Sequence, residues 1–374
     1  MILEAFDRAL AKLDLRRAVT HALKGERDDT YRIIAIGKGS AAMFAGAKDA
    51  LGARIEDSVV VTPEDAGHPL PDARSVRAGE RCLELASRRG DATIVVLVSG
   101  GASALVCAPA PGVTLRDVRA VTRALLASGA TVQDINVVRK HLSRIKGGGL
   151  ARAAGPRRVL TLIASDVIGG RPTDVASGPS VADPSTVAEA RKILRHHARA
   201  YASLPLVRTL AAHRGRARIL VSPEHLARAL GKELGARVLR PSQASAEDLA
   251  REYVALAKRG SGAVVRAAEP SVVVPARGGK GGRCTHLAAL VARDLPPGYV
   301  FAAIASDGVD GASGTAGAIV DASLREHHDI DAALARFDTG SLLRRAHAAI
   351  PSRPTGHNLT DVHVLVRGRR HHAE

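Results

Sequence analysis

Apolar runs of strand length alternate in the first half of the chain with longer stretches whose apolar residues recur at helical spacing. The runs are nearly continuous and rich in β-branched residues, which is typical of strands covered on both faces. The runs lie at 32–36, 58–62, 93–98 and 158–164, and the helical stretches at 40–52, 74–90, 115–128 and 133–146. This alternation predicts a doubly wound α/β fold with a parallel sheet.

The pattern is interrupted at 182–219, which is polar, basic and broken by Pro205. We therefore place a domain boundary near residue 208, giving domains 1–208 and 209–374. Further strands are predicted at 217–221, 271–275, 299–305 and 361–366, with helices from about 222 to 235 and at 245–258. The second domain is thus also predicted to be α/β, and one additional helix is predicted over 2–24.

The chain has 374 residues, of which 46% are hydrophobic and 24% are charged. This composition is typical of a folded globular protein. No apolar run approaches the roughly 20 residues that a membrane span needs. The amphipathic N-terminus carries Glu4 and Asp7, unlike a signal peptide. The three cysteines match no zinc or disulfide spacing. We expect a cytoplasmic protein with no membrane partner.

The formal net charge of +17 indicates an anionic partner, which could be nucleic acid, a membrane surface or a small substrate. The positive residues are mostly arginines spread along the chain, and aromatic residues make up only 2% of it. Proteins that stack nucleic-acid bases usually combine basic with aromatic side chains. We therefore favour a small anionic substrate and expect no nucleic-acid partner, and we keep a basic nucleic-acid-binding protein as an alternative.

Glycine-rich turns follow several of the predicted strands. They lie at 37–40, 99–103, 165–170, 278–283 and 306–314. Open α/β sheets bind ligands at the carboxyl ends of their strands, and glycine lets the backbone approach an anion closely. The turns therefore predict a phosphate-binding site.

The turn Gly37-Lys38-Gly39-Ser40 can be interpreted in three ways. With the two alanines that follow, it fits the G-x-G-x-x-A fingerprint for a dinucleotide, but the acidic residue expected about 20 positions later comes late, at Glu64 or Asp65. It does not fit a Walker A loop, because Lys38 is followed by glycine. In the third interpretation Lys38 itself contacts phosphate as a point charge, as phosphoryl transfer requires.

Three aspartates follow predicted strands in glycine-rich loops: Asp166, Asp307 and Asp310. Carboxylates in such places can hold Mg²⁺ with the phosphates of a nucleotide or accept a hydroxyl proton. They can equally cap helices or form turns. A kinase would use these charges together with Lys38, whereas a dehydrogenase has no obvious use for them.

A cationic face is predicted on the helix at 133–146. Asn136, Arg139 and Lys140 are spaced i, i+3 and i+4, so they share one side of it. This face could receive a carboxylate or phosphate, and the alternative is a solvated helix surface.

The sequence resembles the glycerate kinases of the two-domain class that ends in a MOFRL domain. The motifs that carry the resemblance are IAIGKGSAAM (34–43), AGHPLPD (66–72), VLVSGGASALVCAPAPGVTL (96–115), 122–151, 165–186, EPSVVV (269–274), GGKGGR (278–283), SDGVDGASGTAGAIVD (306–321) and RPTGHNLTDVHVLV (353–366). They cover nearly the whole chain.

The resemblance implies an enzyme that uses ATP and a divalent metal, Mg²⁺, to phosphorylate D-glycerate, generally at the 2-hydroxyl. It implies a Rossmann-like N-terminal domain, a C-terminal α/β domain with a MOFRL region at about 263–367, and an active site in the cleft between them. Older naming calls some of these proteins hydroxypyruvate reductases, so an NAD(P)-dependent reductase stays an alternative. A homodimer is one candidate assembly.

The resemblance also implies roles for individual residues. Lys38 and Arg283 would act on the transferring phosphate, Asp310 would take the hydroxyl proton, and Asp166 and Asp307 would hold the metal. ATP would be bound by Gly37, Gly39, Ser40, Ser99, Gly100, Gly101 and Ser103, and the acceptor by His68, Asn136, Arg139 and Lys140.

The sequence departs from the family pattern at two places. Ala102 stands where the family has glycine, which requires a negative φ at that position. Cys284, Thr285 and His286 follow Arg283 where the family has an amide and a carboxylate. Another hydroxy acid therefore stays open as the acceptor.

Overall fold

The computed structural model describes residues 1–67, 70–213 and 215–368, and the chain divides into two compact units. Of the described residues, the N-terminal unit contains those in the ranges 14–165 and 170–221, and the C-terminal unit contains residues 1–13, 166–169 and 222–368. The chain therefore begins in the C-terminal unit, and it returns there after residue 221 rather than near 208.

The N-terminal unit is built on a parallel sheet of five strands. They are β1 (Tyr31–Ile36), β2 (Ile55–Val61), β3 (Thr93–Val98), β4 (Val159–Ala164) and β5 (Arg216–Val221). Every residue of β1, β3 and β4 is buried, because helices cover both faces of the sheet. The predicted doubly wound parallel sheet is confirmed.

The strand order is β2-β1-β3-β4-β5. The chain passes from β1 to one neighbour, β2, and then crosses to the other neighbour, β3. The connections thus change direction between β1 and β3. Ligands of open α/β sheets bind outside the carboxyl ends of strands at such a switch point.

The helices of the N-terminal unit mostly begin at residues whose side chains cap them. They are α2 (Leu15–Leu23), α3 (Ser40–Leu51), α4 (Ala73–Ser87), α5 (Ala102–Leu105), α6 (Leu115–Ala127), α7 (Val132–His141), α8 (Gly149–Ala154) and α9 (Val187–His197). The predicted helix over 2–24 is two helices, because the Asp14 carboxylate accepts from the Arg17 amide and begins α2 there. Helix α7 ends at His141, so Lys146 lies in the turn beyond it rather than on the helix.

The C-terminal unit contains a mixed sheet of six strands in the order β10-β9-β8-β11-β7-β6. Only β6 and β7 are parallel to each other. The strands are β6 (Arg237–Val238), β7 (Val264–Ala268), β8 (Tyr299–Ala305), β9 (Thr315–Asp321), β10 (Ala349–Pro351) and β11 (Asp361–Arg367). Its helices are α1 (Ile2–Ala11), α10 (Pro223–Leu234), α11 (Ala246–Lys258), α12 (Arg283–Asp294), α13 (Leu324–His327), α14 (Ile330–Ala335) and α15 (Thr339–Arg345).

Two strand predictions differ from the structure. The strand expected to open the second domain is β5, which pairs with β4 at the edge of the N-terminal sheet. The strand expected at 271–275 lies earlier, at β7. Prolines flank the run of valines that suggested it, and two of those valines, Val273 and Val274, are 88% and 57% exposed.

No helix among residues 1–67, 70–213 and 215–368 is long and apolar enough to cross a membrane. The three cysteines, Cys82, Cys107 and Cys284, are buried and unpaired by disulfides.

Candidate active site

The two strands at the switch point, β1 and β3, each end in a glycine turn, at 37–39 and 99–101. The turns are joined by backbone contacts: the Lys38 amide donates to the Gly100 carbonyl at 2.9 Å. The adjacent strands therefore present one continuous surface of turn backbone at the carboxyl edge of the sheet.

Gly37 and Ser99 pack too closely for any other residue at position 37. Gly37 has φ +125°, and a Cβ there would lie 2.2 Å from the Ser99 hydroxyl oxygen. That oxygen accepts a hydrogen bond from the Gly39 amide at 2.9 Å. Gly101 has a positive φ of 80°, whereas Ala102 begins helix α5 with an ordinary φ, as its methyl group requires.

Lys38 has an exposed side chain that makes no hydrogen bond or ion pair with any of the residues described. It immediately precedes helix α3, whose N-cap, Gly39, offers no side-chain cap. The Ser40 amide donates to the Gly37 carbonyl at 3.1 Å, whereas the amides of Ala41 and Ala42 donate to none of the described residues. These two amides and the lysine ammonium are therefore available to an anion. Ser40, in contrast, is buried and donates its hydroxyl to the Val61 carbonyl at 2.9 Å, so that hydroxyl supports the turn rather than a ligand.

The acidic residues that a dinucleotide site would use lie in the short turn Pro63–Asp65 after β2. The Asp65 carboxylate accepts from the amide and the hydroxyl of Thr62, at 2.9 and 2.8 Å. It closes its own turn, and this geometry gives no support to a ribose contact.

On helix α5, two cations converge on Ser103. Lys146 donates from Nζ to the carbonyl and the hydroxyl of Ser103, at 2.9 and 3.0 Å, and Arg139 donates to the same carbonyl at 3.3 Å. Burial and, as the smaller cause, the charge of Arg139 together lower the pKa of Lys146 to about 7. Neither cation has a carboxylate partner in the part of the chain that the structure describes.

Hydroxyl and amide groups continue this cluster. The Ser177 hydroxyl donates to Asn136 Oδ1 at 3.2 Å and lies 3.4 Å from the Ser103 hydroxyl. The structure thus brings together Asn136, Arg139 and Ser103, which the sequence analysis selected. It adds Lys146 and Ser177, which that analysis did not place in the site.

Lys140 does not belong to this cluster. Its Nζ lies 2.8 Å from Asp183 Oδ1, and both side chains are buried, so the pair is part of the interior. The proposed acceptor contact by Lys140 is therefore corrected: i, i+4 spacing put it on the same helix as Asn136, but its charge is used by Asp183. His68, also expected at the acceptor, lies outside the described residues.

In the C-terminal unit, Arg283 is held by two carboxylates. Its Nε and Nη2 donate to Asp361 at 3.1 and 3.3 Å, and its Nη1 donates to Glu269 at 2.9 Å. Arg283 stays 39% exposed, whereas Asp361 is buried. Burial raises the pKa of Asp361 to about 7, against the opposing effect of Arg283. Nothing in the sequence marked Glu269 or Asp361, because their link to Arg283 exists only in the folded chain.

Asp310 caps helix α12 from the loop after β8. Its two carboxylate oxygens accept from the amides of Cys284 and Thr285, both at 2.9 Å, and its side chain is buried. Because both oxygens are engaged and shielded, this geometry does not favour Asp310 as the proton acceptor. Its role in the structure is to fix the first turn of α12, where Arg283 lies.

Asp307 and Asp166 both belong to the C-terminal unit and are half-buried. Asp307 Oδ1 accepts from the Val309 amide at 3.0 Å, and its other oxygen makes no hydrogen bond with a described residue. Within the described ranges, no three or more histidine, cysteine or acidic side chains are grouped around one metal position. Mg²⁺ takes one or two carboxylates and fills its shell with water and phosphate oxygens, so carboxylate donors of this kind fit it chemically.

The departure at Cys284, Thr285 and His286 falls on buried positions of α12. Thr285 accepts from the Gly282 amide through its hydroxyl at 2.9 Å, and the His286 ring lies against Phe337. These side chains pack within the C-terminal unit, so the residues that differ from the family pattern are part of its interior.

Comparisons with known proteins agree over both units. The family model described as a domain of unknown function (DUF4147) matches residues 1–210, and the MOFRL family model matches residues 262–361. A D-glycerate 2-kinase from Thermotoga maritima is 32% identical over 92% of this chain and 93% of that protein. A glycerate 2-kinase from Pyrococcus horikoshii is 29% identical over 96% of each. The crystal structure of a glycerate kinase from Thermotoga maritima has a TM-score of 0.87 at 29% identity and covers 98% of both chains.

Proposed function

Because the chain belongs to the glycerate 2-kinase family, we propose that it transfers the γ-phosphoryl group of ATP to the 2-hydroxyl of D-glycerate. The observation that carries this proposal is the free ammonium of Lys38 beside the uncapped N-terminus of α3, at the switch point of the sheet. Phosphoryl transfer proceeds through a loose transition state, so it depends on positioning and charge neutralisation more than on covalent chemistry.

In this proposal Lys38 and the amides of Ala41 and Ala42 in the first turn of α3 neutralise phosphate oxygens. Arg283 uses three of its N–H groups on Asp361 and Glu269, which leaves one N–H on Nη1 and one on Nη2 for a phosphate oxygen. Lys38 and Arg283 belong to different units. That they act on the same phosphoryl group stays a prediction.

We propose Asp307 and Asp166 as the residues that would hold Mg²⁺ with the nucleotide. The free oxygen of Asp307 supports this assignment. The bound metal would neutralise charge on the phosphates. Asp310 then acts as a positioning residue, which holds the first turn of α12 and with it the backbone of Arg283.

The experiment that tests the function is a coupled assay of ADP release with D-glycerate, L-glycerate, lactate and glycolate as acceptors. The expected result is turnover that requires ATP and is highest with D-glycerate, with the new phosphate on C2 in the NMR spectrum of the product. Phosphate on C3 would correct the position. NADH oxidation with hydroxypyruvate, without ADP release, would replace the kinase by a reductase.

The expected cytoplasmic location, homodimer and lack of nucleic-acid binding stay predictions. Light scattering after gel filtration determines the assembly. DNA retention that falls with salt, together with no ADP release from any acceptor, would favour the nucleic-acid alternative.

A further inference from the structure

The structure contains a polar cluster in the N-terminal unit that we call the hydroxyl–cation cluster. It consists of Ser103, Asn136, Arg139, Lys146 and Ser177. We propose that it binds the hydroxycarboxylate part of the acceptor, with the two cations on the carboxylate and the hydroxyl and amide groups on the hydroxyls of the substrate. This inference rests on the proposed kinase function and names the acceptor subsite of that enzyme.

The charges of the cluster are uncompensated. Lys146 is buried, yet it donates only to the neutral oxygens of Ser103, and no carboxylate among residues 1–67, 70–213 and 215–368 forms an ion pair with it. Arg139 adds a second positive charge beside it, and burial together with this charge lowers the pKa of Lys146 to about 7. Two like charges in a partly buried place are unfavourable unless an anion joins them, and a carboxylate would supply that anion.

Arg139 retains the donors that a carboxylate needs. It is half-buried, and its guanidinium makes a hydrogen bond to the Ser103 carbonyl from Nη2 alone. Its Nε and Nη1 donate to none of the described residues. Nη2 keeps a second N–H, which forms an edge with either Nε or Nη1, so one complete edge of the guanidinium can bind a carboxylate through two parallel hydrogen bonds.

The neutral part of the cluster is held by a strained segment. Ala176 and Ser177 have φ values of +55° and +59°, and Gly178 follows with +57°. Non-glycine residues rarely adopt this conformation, and it persists only where the surroundings impose it. Here the carbonyls of Ser177 and Gly178 accept from the amides of Gly147 and Gly148, at 3.0 and 2.8 Å. The strained segment and the turn after Lys146 therefore support each other and bring the Ser177 hydroxyl to the cluster.

The position of the cluster favours the acceptor over the nucleotide. The turn that ends β3 contacts the backbone of Lys38 through Gly100, and helix α5, which follows that turn, contacts Lys146 through Ser103. At the Gly100 contact, Lys38 and the N-terminus of α3 are placed to bind phosphate. At Ser103, hydroxyl and amide groups lie beside the two cations, and this combination suits a small polyhydroxy acid. An acceptor bound there would place its hydroxyl next to the phosphate turn.

The test is calorimetric titration of the full chain with D-glycerate, and separately with ADP, at pH 8 in HEPES and in Tris, whose ionisation enthalpies differ. We expect D-glycerate to bind with proton uptake, because an anion beside Lys146 favours its protonated form. Arg139→Gln should weaken D-glycerate binding about 10- to 100-fold and change ADP binding less than about twofold. Lys146→Met should abolish the proton uptake. Lys48→Met, an exposed lysine of α3, is the matched control and should change neither ligand.

D-Glyceramide, the uncharged analogue, separates charge recognition from packing. The wild type should bind it at least about tenfold more weakly than D-glycerate, and Arg139→Gln should show a smaller preference for D-glycerate, with the remainder due to Lys146. Arg139→Lys, which keeps the charge but not the planar edge, should be intermediate and serves where the glutamine variant fails to fold.

Unchanged D-glycerate affinity in a folded Arg139→Gln variant would overturn the subsite, and so would a loss of ADP binding with D-glycerate binding intact, since the cluster would then serve the nucleotide. The kinase proposal fails separately. If D-glycerate binds as described but no ADP is released with ATP, the subsite stands and the proposed reaction is wrong.

Discussion

Lys38 brings a positive charge to the switch-point turn without a counter-ion from the described residues. We expect Lys38→Met to lower kcat about 100-fold or more, because one fixed charge on a transition state is worth that much in comparable sites. The melting temperature should stay within about 2 °C of the wild type, since the side chain is exposed and makes no hydrogen bond or ion pair with a described residue. Lys48→Met, which removes an exposed lysine of helix α3, is the control. Wild-type turnover in Lys38→Met would remove the lysine from the mechanism.

Lys146 makes the stability of the N-terminal unit depend on pH. Its pKa is lowered to about 7 in the folded chain from the ordinary 10.5. Between these values the unfolded chain carries the proton and the folded chain does not, so the free energy of unfolding rises with pH in this range. A single proton gives a slope of at most about 1.4 kcal/mol per pH unit.

Urea unfolding of the wild type and of Lys146→Met at pH 6, 7, 8 and 9 measures this effect. The difference in unfolding free energy should be constant below pH 7 and grow in favour of the wild type above it. Parallel curves over the whole range would contradict a lowered pKa for Lys146.

The turn after β1 requires glycine at position 37 for two reasons, which are its positive φ and its close contact with Ser99. Gly37→Ala would place a methyl group 2.2 Å from the Ser99 hydroxyl, at φ +125°. We expect a loss of roughly 3 kcal/mol of stability, together with reduced turnover, because the two joined turns must separate.

Gly129→Ala is the matched substitution. Gly129 also has a positive φ, of +72°, but a Cβ there would meet no atom within 4 Å. Gly129→Ala should lower the free energy of unfolding by only about 1 kcal/mol, because only the backbone conformation becomes unfavourable. Equal losses in urea unfolding of the two variants would show that packing against Ser99 does not matter.

The strands could be predicted from the sequence where the apolar pattern is unbroken. Strands β1, β3 and β4 are continuous apolar runs, and they lie where the pattern placed them. Strand β7 was missed because it contains Arg266, a charged residue that looks exposed. In the structure Arg266 is buried, paired with Glu252 and placed over the Tyr253 ring, and these partners lie on α11. Such compensation is long-range and leaves no local pattern.

Only those site residues that have a local feature could be predicted from the sequence. Lys38 and Arg139 were selected because turn position and helical spacing are local features. Asp361, Lys146 and Ser177 required the folded chain, since pairing with Arg283, burial without a counter-ion and a left-handed backbone follow from tertiary contacts.

Helix α1 ties the start of the chain to its second half. Arg8 and Lys12 pair with Glu233 on α10, and Phe6 is buried in the C-terminal unit. We expect Phe6→Ala to cost about 3–5 kcal/mol, as loss of a buried aromatic ring does.

Hydrogen exchange locates this effect. Amides of residues 222–368 should lose protection in Phe6→Ala, whereas those of β1 and β3 should keep theirs. Glu4→Ala, on the exposed side of α1, is the control. A loss of protection that is equal in both units would mean that α1 supports the complete chain rather than the C-terminal unit.

The attachment of residues 1–13 to the C-terminal unit also has a consequence for the order of events on the ribosome. Helix α1 is made before residues 14–221, but α10, against which it packs, is completed only at Leu234. At about 5–20 residues per second, translation reaches that point roughly 10 to 40 s later. During this interval residues 14–221 can fold. The apolar side of α1 is not yet covered by α10 and can be bound by a chaperone. A helix that is made before residues 14–221 thus reaches its packing partner only after they have been made.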